Sequence, residues 1–316
     1  MIMRAVILAQ IPGSPEVTEV EVPRPEAGEV LVKVAASSVN GFDLGTVAGY
    51  LQGMMEHRFP LILGKDFAGT VEAVGEGVEG FAVGDAVFGV DAKAYLGAGA
   101  MAQYVAVPAA IGITHRPDGV LVRDAGALGL AGTAAFDGLA LLGPLEGSTV
   151  LISGATGGVG AIAVQLAAAR GARVIATAKP GSESGFVSAL TDAEVTVIDY
   201  TQDMTAQVRA IAPDGVDAVL HLAGDLAELT ALTRDGGAVA SALTLAPVPE
   251  ASEDRKLRTA MIQSNPTADT LSTLAGHVAS GALKVPVNSE FDLERAPEAF
   301  AAFGAGTVGK IAITVA

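Results

Sequence analysis

From residue 149 the chain reads Thr-Val-Leu-Ile-Ser-Gly-Ala-Thr-Gly-Gly-Val-Gly-Ala-Ile-Ala-Val-Gln-Leu-Ala. Few folds accommodate that run. A β-branched, apolar strand enters a glycine turn, and the turn opens directly into an apolar helix. In a βαβ unit such glycines let the backbone turn tightly and approach a pyrophosphate. The helix N-terminus then supplies free N–H groups and positive potential. The three-glycine fingerprint is occupied by Ala155, Gly157 and Gly160, with alanine at its first position. Downstream, strands at 173–177, 195–198, 216–220 and 237–242 alternate with helix candidates at 158–170, 184–191, 203–211 and 225–233. That alternation predicts a parallel sheet, and with the turn it predicts dinucleotide binding.

The rest of the chain has another texture. With 316 residues it is long enough for two domains. Residues 1 to about 120 are mostly β, with runs at 30–36 and 69–75 punctuated by Gly and Pro. A helix follows at 131–142, and the nucleotide-binding domain is expected over 121–264. The tail from 265 to 316, with a helix after 265, a second near 296–303 and a strand from 310, is too short to stand alone. It is expected to complete the first domain. No apolar run reaches the roughly 18 residues of a membrane span, and the first nine residues read as a strand rather than a signal peptide. A cytoplasmic protein is expected, with no membrane partner.

Charge narrows the partners. Lys and Arg number 19 against 35 Asp and Glu, a net charge of −16, so a nucleic acid meets an average repulsion. There is no cysteine, which removes disulfides, thiol nucleophiles and thiolate metal sites together.

About 20 residues beyond the glycines, a site for NAD usually carries Asp or Glu to accept from the ribose 2′-hydroxyl. This chain has Lys179-Pro-Gly-Ser182 there. A cation and a hydroxyl suit a 2′-phosphate, so NADPH is the expected cofactor. Gly157, Gly158, Val159 and Gly160 are the expected cradle, with Lys179 and Ser182 at the phosphate. Ala223 and Gly224, after the strand ending near His221, are expected under the ribose.

Several segments together resemble the medium-chain dehydrogenase/reductase superfamily, in its zinc-free quinone oxidoreductase and enoyl reductase branch. They are Ser38-Val-Asn-Gly-Phe-Asp43, Pro60-Leu-Ile-Leu-Gly-Lys-Asp-Phe-Ala-Gly-Thr-Val71, Gly80-Phe-Ala-Val-Gly-Asp-Ala-Val-Phe-Gly89, Ala102-Gln-Tyr-Val-Ala-Val-Pro108, Ala131-Gly-Thr-Ala-Ala135, the glycine turn, and Gly309-Lys-Ile. The resemblance implies an α/β protein in which a GroES-like β-barrel catalytic domain joins a Rossmann doubly wound parallel sheet. It implies a homodimer formed edge strand to edge strand through the nucleotide domains. The run at 237–248 is a candidate edge, although it reads equally as an internal strand.

The zinc alcohol dehydrogenases share this scaffold. They carry a cysteine in the segment matching Asn40 and Gly-His-Glu where this chain has Gly64-Lys65-Asp66. An ammonium cannot ligate a metal, and the four histidines (His57, His115, His221, His277) show no close metal spacing. No metal site is expected. The resemblance then implies hydride transfer from NADPH to a quinone or an α,β-unsaturated carbonyl, where donors must stabilise the negative charge that develops on oxygen. Asn40, Asp43 and Tyr50 are the catalytic candidates. Asn40 has an amide able to donate and Tyr50 a phenol able to give a proton; Asp43 serves equally as a helix cap. Lys65 and Tyr104 are weaker candidates, and Lys65 could simply pair with Asp66. Thr133 and Lys310 are expected near the nicotinamide. Reduction of a saturated ketone or aldehyde, and a non-catalytic NADPH-binding role, stand as alternatives.

Overall fold

Short β-branched runs broken by glycine leave this chain many strands and few long helices. The structure, a computed structural model, describes residues 1–243 and 254–316. Two units are distinguished: Met1–Thr133 with Pro266–Ala316, and Ala134–Asn265.

The first unit contains β1 (Ile2–Leu8), β2 (Glu16–Glu21), β3 (Glu29–Val39), α1 (Gly41–Val47), β4 (Glu56–Ile62), β5 (Asp66–Val74), β6 (Ala86–Val90), β7 (Tyr95–Ala98), β8 (Tyr104–Pro108), β9 (Ile113–His115) and the start of α2 (Val122–Leu142). One sheet has the order β2-β1-β4-β7. The other is built on β3, which pairs antiparallel with β5 and, through its first residues, with β8. Alternate residues of β3 and β5 point inward, and Val32, Val34, Phe67 and Val71 are buried with Leu61, Met101, Ile311 and Ile313. Each such side chain contributes roughly 1.5–3 kcal/mol by leaving water. Residues 56–62, lying largely in what reads from sequence as a loop, form β4. Its Glu-His-Arg-Phe-Pro series carries no apolar alternation, so its period is not visible in the sequence.

The second unit contains β10 (Thr149–Ser153), α3 (Gly158–Ala169), β11 (Arg173–Thr177), α4 (Ser182–Ser188), β12 (Val195–Ile198), α5 (Met204–Ile211), β13 (Val216–His221), α6 (Leu226–Ala231), β14 (Thr233–Ser241) and β15 (Arg258–Met261). All five pairings are parallel and the order is β12-β11-β10-β13-β14-β15. Counted within this sheet the order is 3-2-1-4-5-6, which is the doubly wound dinucleotide arrangement with its switch point beside β10. Leu151, Ile175, Val219 and Val239 fill the sheet, and Leu229 of α6 covers it.

The last residues supply α7 (Ala268–Ala279), β16 (Val287–Asp292), α8 (Ala296–Gly304) and β17 (Lys310–Thr314). β17 pairs antiparallel with β3, Ile311 opposite Val39.

Two expectations need correction. The candidate edge at 237–248 falls partly outside the described residues, and its described part is internal: β14 is flanked by β13 and β15. Among the described residues the edge is β15, whose exposed Arg and Thr give little strand signal. The division between units falls inside α2 rather than ahead of residue 121. Gly126 and Gly129 of α2 lie so close to Ala36 and Gly89 that a Cβ has no room, which ties the first half of the helix to the β unit. α2 is long and apolar enough to cross a membrane by length alone, yet two-thirds of its most apolar stretch (67%) is buried within the protein.

Candidate active site and cofactor cradle

In the first unit three strand ends meet. β3 runs out into Asn40, β5 starts at Asp66, and β17 starts at Lys310, one residue from the Ile311–Val39 pair. Lys310 Nζ donates to Asn40 Oδ1 at 2.6 Å, and lies 3.4 Å from both the Val39 carbonyl and Asp66 Oδ2. Asn40 Nδ2 donates to Asp66 Oδ2 at 2.9 Å. Ser38 Oγ donates to the same oxygen at 2.5 Å, and the Leu130 N–H to Oδ1 at 2.6 Å. Asp66 and Lys310 are both buried. Burial pulls the Lys310 ammonium below its ordinary range, against the opposing pull of Asp66 and Asp43.

This corrects the pairing expected for Lys65. Lys65 stands in the bend ahead of β5, where its carbonyl accepts the Asp91 N–H at 2.7 Å and its ammonium bonds the Asp91 carboxylate at 3.3 Å instead of Asp66. Burial raises the Asp91 carboxyl, and Lys65 opposes that. A small cavity in this unit is lined by Phe42, Asp43, Thr46, Lys65, Asp91 and Leu96, among others.

Asp43 caps α1. Its carboxylate accepts the Asn40 N–H at 2.9 Å, while the Asn40 side chain is committed to Lys310 and Asp66. Desolvation raises Asp43 to about 7 despite that backbone bond. Tyr50 stands apart from the cluster, 78% exposed on the turn after α1. Tyr104 packs against the small core of Met3, Ala5, Ile7 and Ala102, which explains it as a packing residue. Thr133 is buried and donates its hydroxyl hydrogen to the Gly129 carbonyl one turn back at 2.6 Å, so that hydrogen is committed within the helix. Lys310, expected against a cofactor, has its ammonium turned into the Asn40–Asp66 cluster.

The second unit holds the glycine turn. The tight reversal is made by Gly154, at φ +73, a residue ahead of the fingerprint's first position. Its N–H donates to Thr177 Oγ1 at 2.9 Å, which ties the turn to the end of β11. At Gly160 a Cβ would run into the Gly154 carbonyl, so this glycine serves helix–strand packing. Gly157, the N-cap of α3, is different: a Cβ there meets only that carbonyl, at 3.5 Å. Its own N–H is taken by the Gly154 carbonyl at 3.1 Å, but the N–H groups of Gly158 and Val159, in the first turn of α3, have no helical carbonyl to bond and form a cradle that fits a pyrophosphate. Ala223 and Gly224 lie beside the turn, the Ala223 Cβ standing 3.1 Å from where Gly154 would carry one. His221 fixes that loop, with Nε2 against the Gly224 carbonyl and Nδ1 against Ser241 Oγ.

Beyond β11, Lys179 and Ser182 are exposed. The Lys179 ammonium sits 5.3 Å from the centre of the Tyr200 ring, and Tyr200 holds it above its ordinary range. Glu183 accepts the Lys179 N–H at 2.9 Å through Oε2, and its Oε1 lies 3.4 Å from the Tyr200 hydroxyl. Gly154, Glu183 and Tyr200 are the residues missed in the sequence. Gly154 was readable as a glycine directly after the strand; the other two come together only through the fold.

Residues 26–118 match the alcohol dehydrogenase GroES-like domain, and residues 193–313 match a family described as zinc-binding dehydrogenase. A chloroplastic quinone oxidoreductase of Triphysaria versicolor is 31% identical over 93% of this chain and 92% of its own. The chain belongs to the medium-chain dehydrogenase/reductase superfamily. Within that superfamily it is also similar to a 2-methylene-furan-3-one reductase of Solanum lycopersicum, 29% identical over 95% of this chain and 76% of that protein. The structure of the quinone oxidoreductase from Coxiella burnetii superposes with a TM-score of 0.89 at 26% identity, covering 100% of both chains.

A member of the medium-chain dehydrogenase/reductase superfamily binds a nicotinamide cofactor, and the first-turn N–H groups of Gly158 and Val159 fit one. Zinc fits less well. Among the described residues no three His, Cys, Asp or Glu side chains converge to hold a metal. Asp66 is already filled by four donors, and Lys65 brings a positive charge to the position beside it.

Proposed function

We propose that this protein is a zinc-independent reductase of quinones or α,β-unsaturated carbonyls that takes its hydride from NADPH. The observation that carries the reading is the buried Lys310–Asn40–Asp66 cluster, which puts an oriented amide where a metal relative would have a ligand. Asn40 is held at both ends of its amide, Oδ1 by Lys310 and Nδ2 by Asp66. Its second Nδ2 hydrogen has only long contacts, 3.4 Å to the Ser38 carbonyl and 3.5 Å to Ser38 Oγ. That hydrogen is the donor we assign to the oxygen on which negative charge develops. Tyr50, exposed on the turn after α1, supplies the proton. The nicotinamide, when bound, supplies the hydride. The names of the quinone oxidoreductase and furanone reductase relatives support acceptors of this class. Lys179, Ser182 and Tyr200 support the phosphorylated cofactor. We assign a homodimer, with β15 as the paired edge.

The test is the loss of NADPH absorbance with a benzoquinone, an enone and a saturated ketone, each with and without EDTA. Turnover of the first two, unchanged by the chelator, is expected. Reduction of the ketone alone, or loss of activity with EDTA, would overturn the reading. Tight NADPH binding without turnover would favour the non-catalytic alternative.

A further inference from the structure

We propose that Glu183 limits how strongly this chain prefers NADPH over NADH, by occupying the donors that a 2′-phosphate needs. The proposal rests on the nicotinamide-cofactor reading above. In a doubly wound sheet the adenosine ribose lies beyond the end of the second strand, about 20 residues after the glycines. Here that place is the segment after β11, where Lys179 leads into α4. Three donors gather there: the Lys179 ammonium, the Lys179 backbone N–H and the Tyr200 hydroxyl. One carboxylate, Glu183, engages two of them, at 2.9 Å and 3.4 Å. The third lies over the same phenol ring.

The two ligands present opposite chemistry at this point. A 2′-phosphate carries close to two negative charges and only acceptor oxygens, so it competes with Glu183 for every donor and is repelled by it. A ribose 2′-hydroxyl donates, and a carboxylate accepts it. Lys179 and Glu183 therefore pull the selectivity in opposite directions. The residue types within 179–182 show only the first pull. Glu183 lies four residues along from Lys179 rather than at the strand end, and only the turn at Gly181 (φ +101) brings it back. Lys179 is exposed and Glu183 is half-buried, so the carboxylate can swing aside at a cost that falls on NADPH alone.

The experiment is a fluorescence titration of the wild-type protein, Glu183→Gln and Lys179→Ala with NADPH and with NADH, at low and at high salt. Melting temperatures of all three confirm folding. Wild type is expected to bind both cofactors, with a ratio of dissociation constants below about tenfold. Glu183→Gln keeps an oxygen for the Lys179 N–H and removes the charge. It should raise the preference for NADPH by about tenfold at low salt, and by less at high salt. Lys179→Ala should shift the ratio toward NADH. A ratio unchanged within about twofold in Glu183→Gln overturns the proposal while leaving the cofactor reading intact. If wild type binds neither dinucleotide, the cofactor reading falls and this proposal with it.

Discussion

Lys310 is buried with three oxygens around its ammonium, and those oxygens belong to Val39, Asn40 and Asp66. Removing one partner of a buried ion pair leaves the other uncompensated, at a cost of roughly 3–5 kcal/mol. Lys310→Met is therefore expected to destabilise the fold by about 3 kcal/mol, read from urea unfolding. A loss below about 1 kcal/mol would overturn the reading of this cluster as a buried ion pair. Asp43 makes a second prediction. The folded chain holds its proton up to about 7, while the ordinary value is 3.8. Between those two values the folded state binds more protons than the unfolded one, so the Asp43 contribution is full below the lower value and is lost as pH rises through the upper. Asp43→Asn keeps an acceptor for the Asn40 N–H without the charge. Its stability should fall less than that of wild type between about pH 4 and pH 7; parallel curves would show that Asp43 is ionised throughout.

The turn from β10 into α3 separates two kinds of glycine. Gly160 has no room for a Cβ, because the Gly154 carbonyl lies against it. Gly160→Ala must push α3 away from the sheet, and both melting temperature and NADPH affinity should drop. At Gly157 the backbone is extended, at φ −77, and a Cβ has space. Gly157→Ala should lose no more than about 1 kcal/mol, the scale of an N-cap change. Its NADPH affinity should nevertheless fall at least about tenfold, because the methyl group occupies the approach of the pyrophosphate. Equal losses of stability in the two variants, measured by thermal melting, would contradict the division of roles. A sequence reader sees a cluster of glycines here; the contact that distinguishes one from another is a distance of the folded chain.

For the molecule as a whole, the end of the parallel sheet at β15 is an unpaired edge among the described residues, with Met261 44% exposed on it. Unpaired edges invite strand addition. Sedimentation equilibrium should give twice the 31.6 kDa chain mass, and Thr259→Pro, which removes an N–H that faces away from β14, should shift the population toward monomer. A monomer in the wild type would dismiss the dimer. Apart from β15, the strands and helices of the doubly wound sheet were legible because their signals are local: β-branched runs, glycine turns and period-2 or period-3.6 burial act within a few residues. Asn40 enters as a candidate through the resemblance, and Lys179 and Gly157 as residue types at a distance from the glycine turn. What the sequence could not reveal is which groups share a hydrogen bond across hundreds of residues. Lys310 meets Asn40 and Asp66 only because β17 returns to lie against β3, and Asp66 draws on Ser38 and Leu130 because β5 pairs with β3 and α2 packs beside them. Lys65 meets Asp91 and not Asp66 because the bend ahead of β5 is bonded to the end of β6 through the Asp91 N–H. Local chemistry wrote the elements into the sequence; the partners of each buried charge were decided by the tertiary fold, since desolvation makes a charge seek whatever counter-charge the packed strands bring within reach.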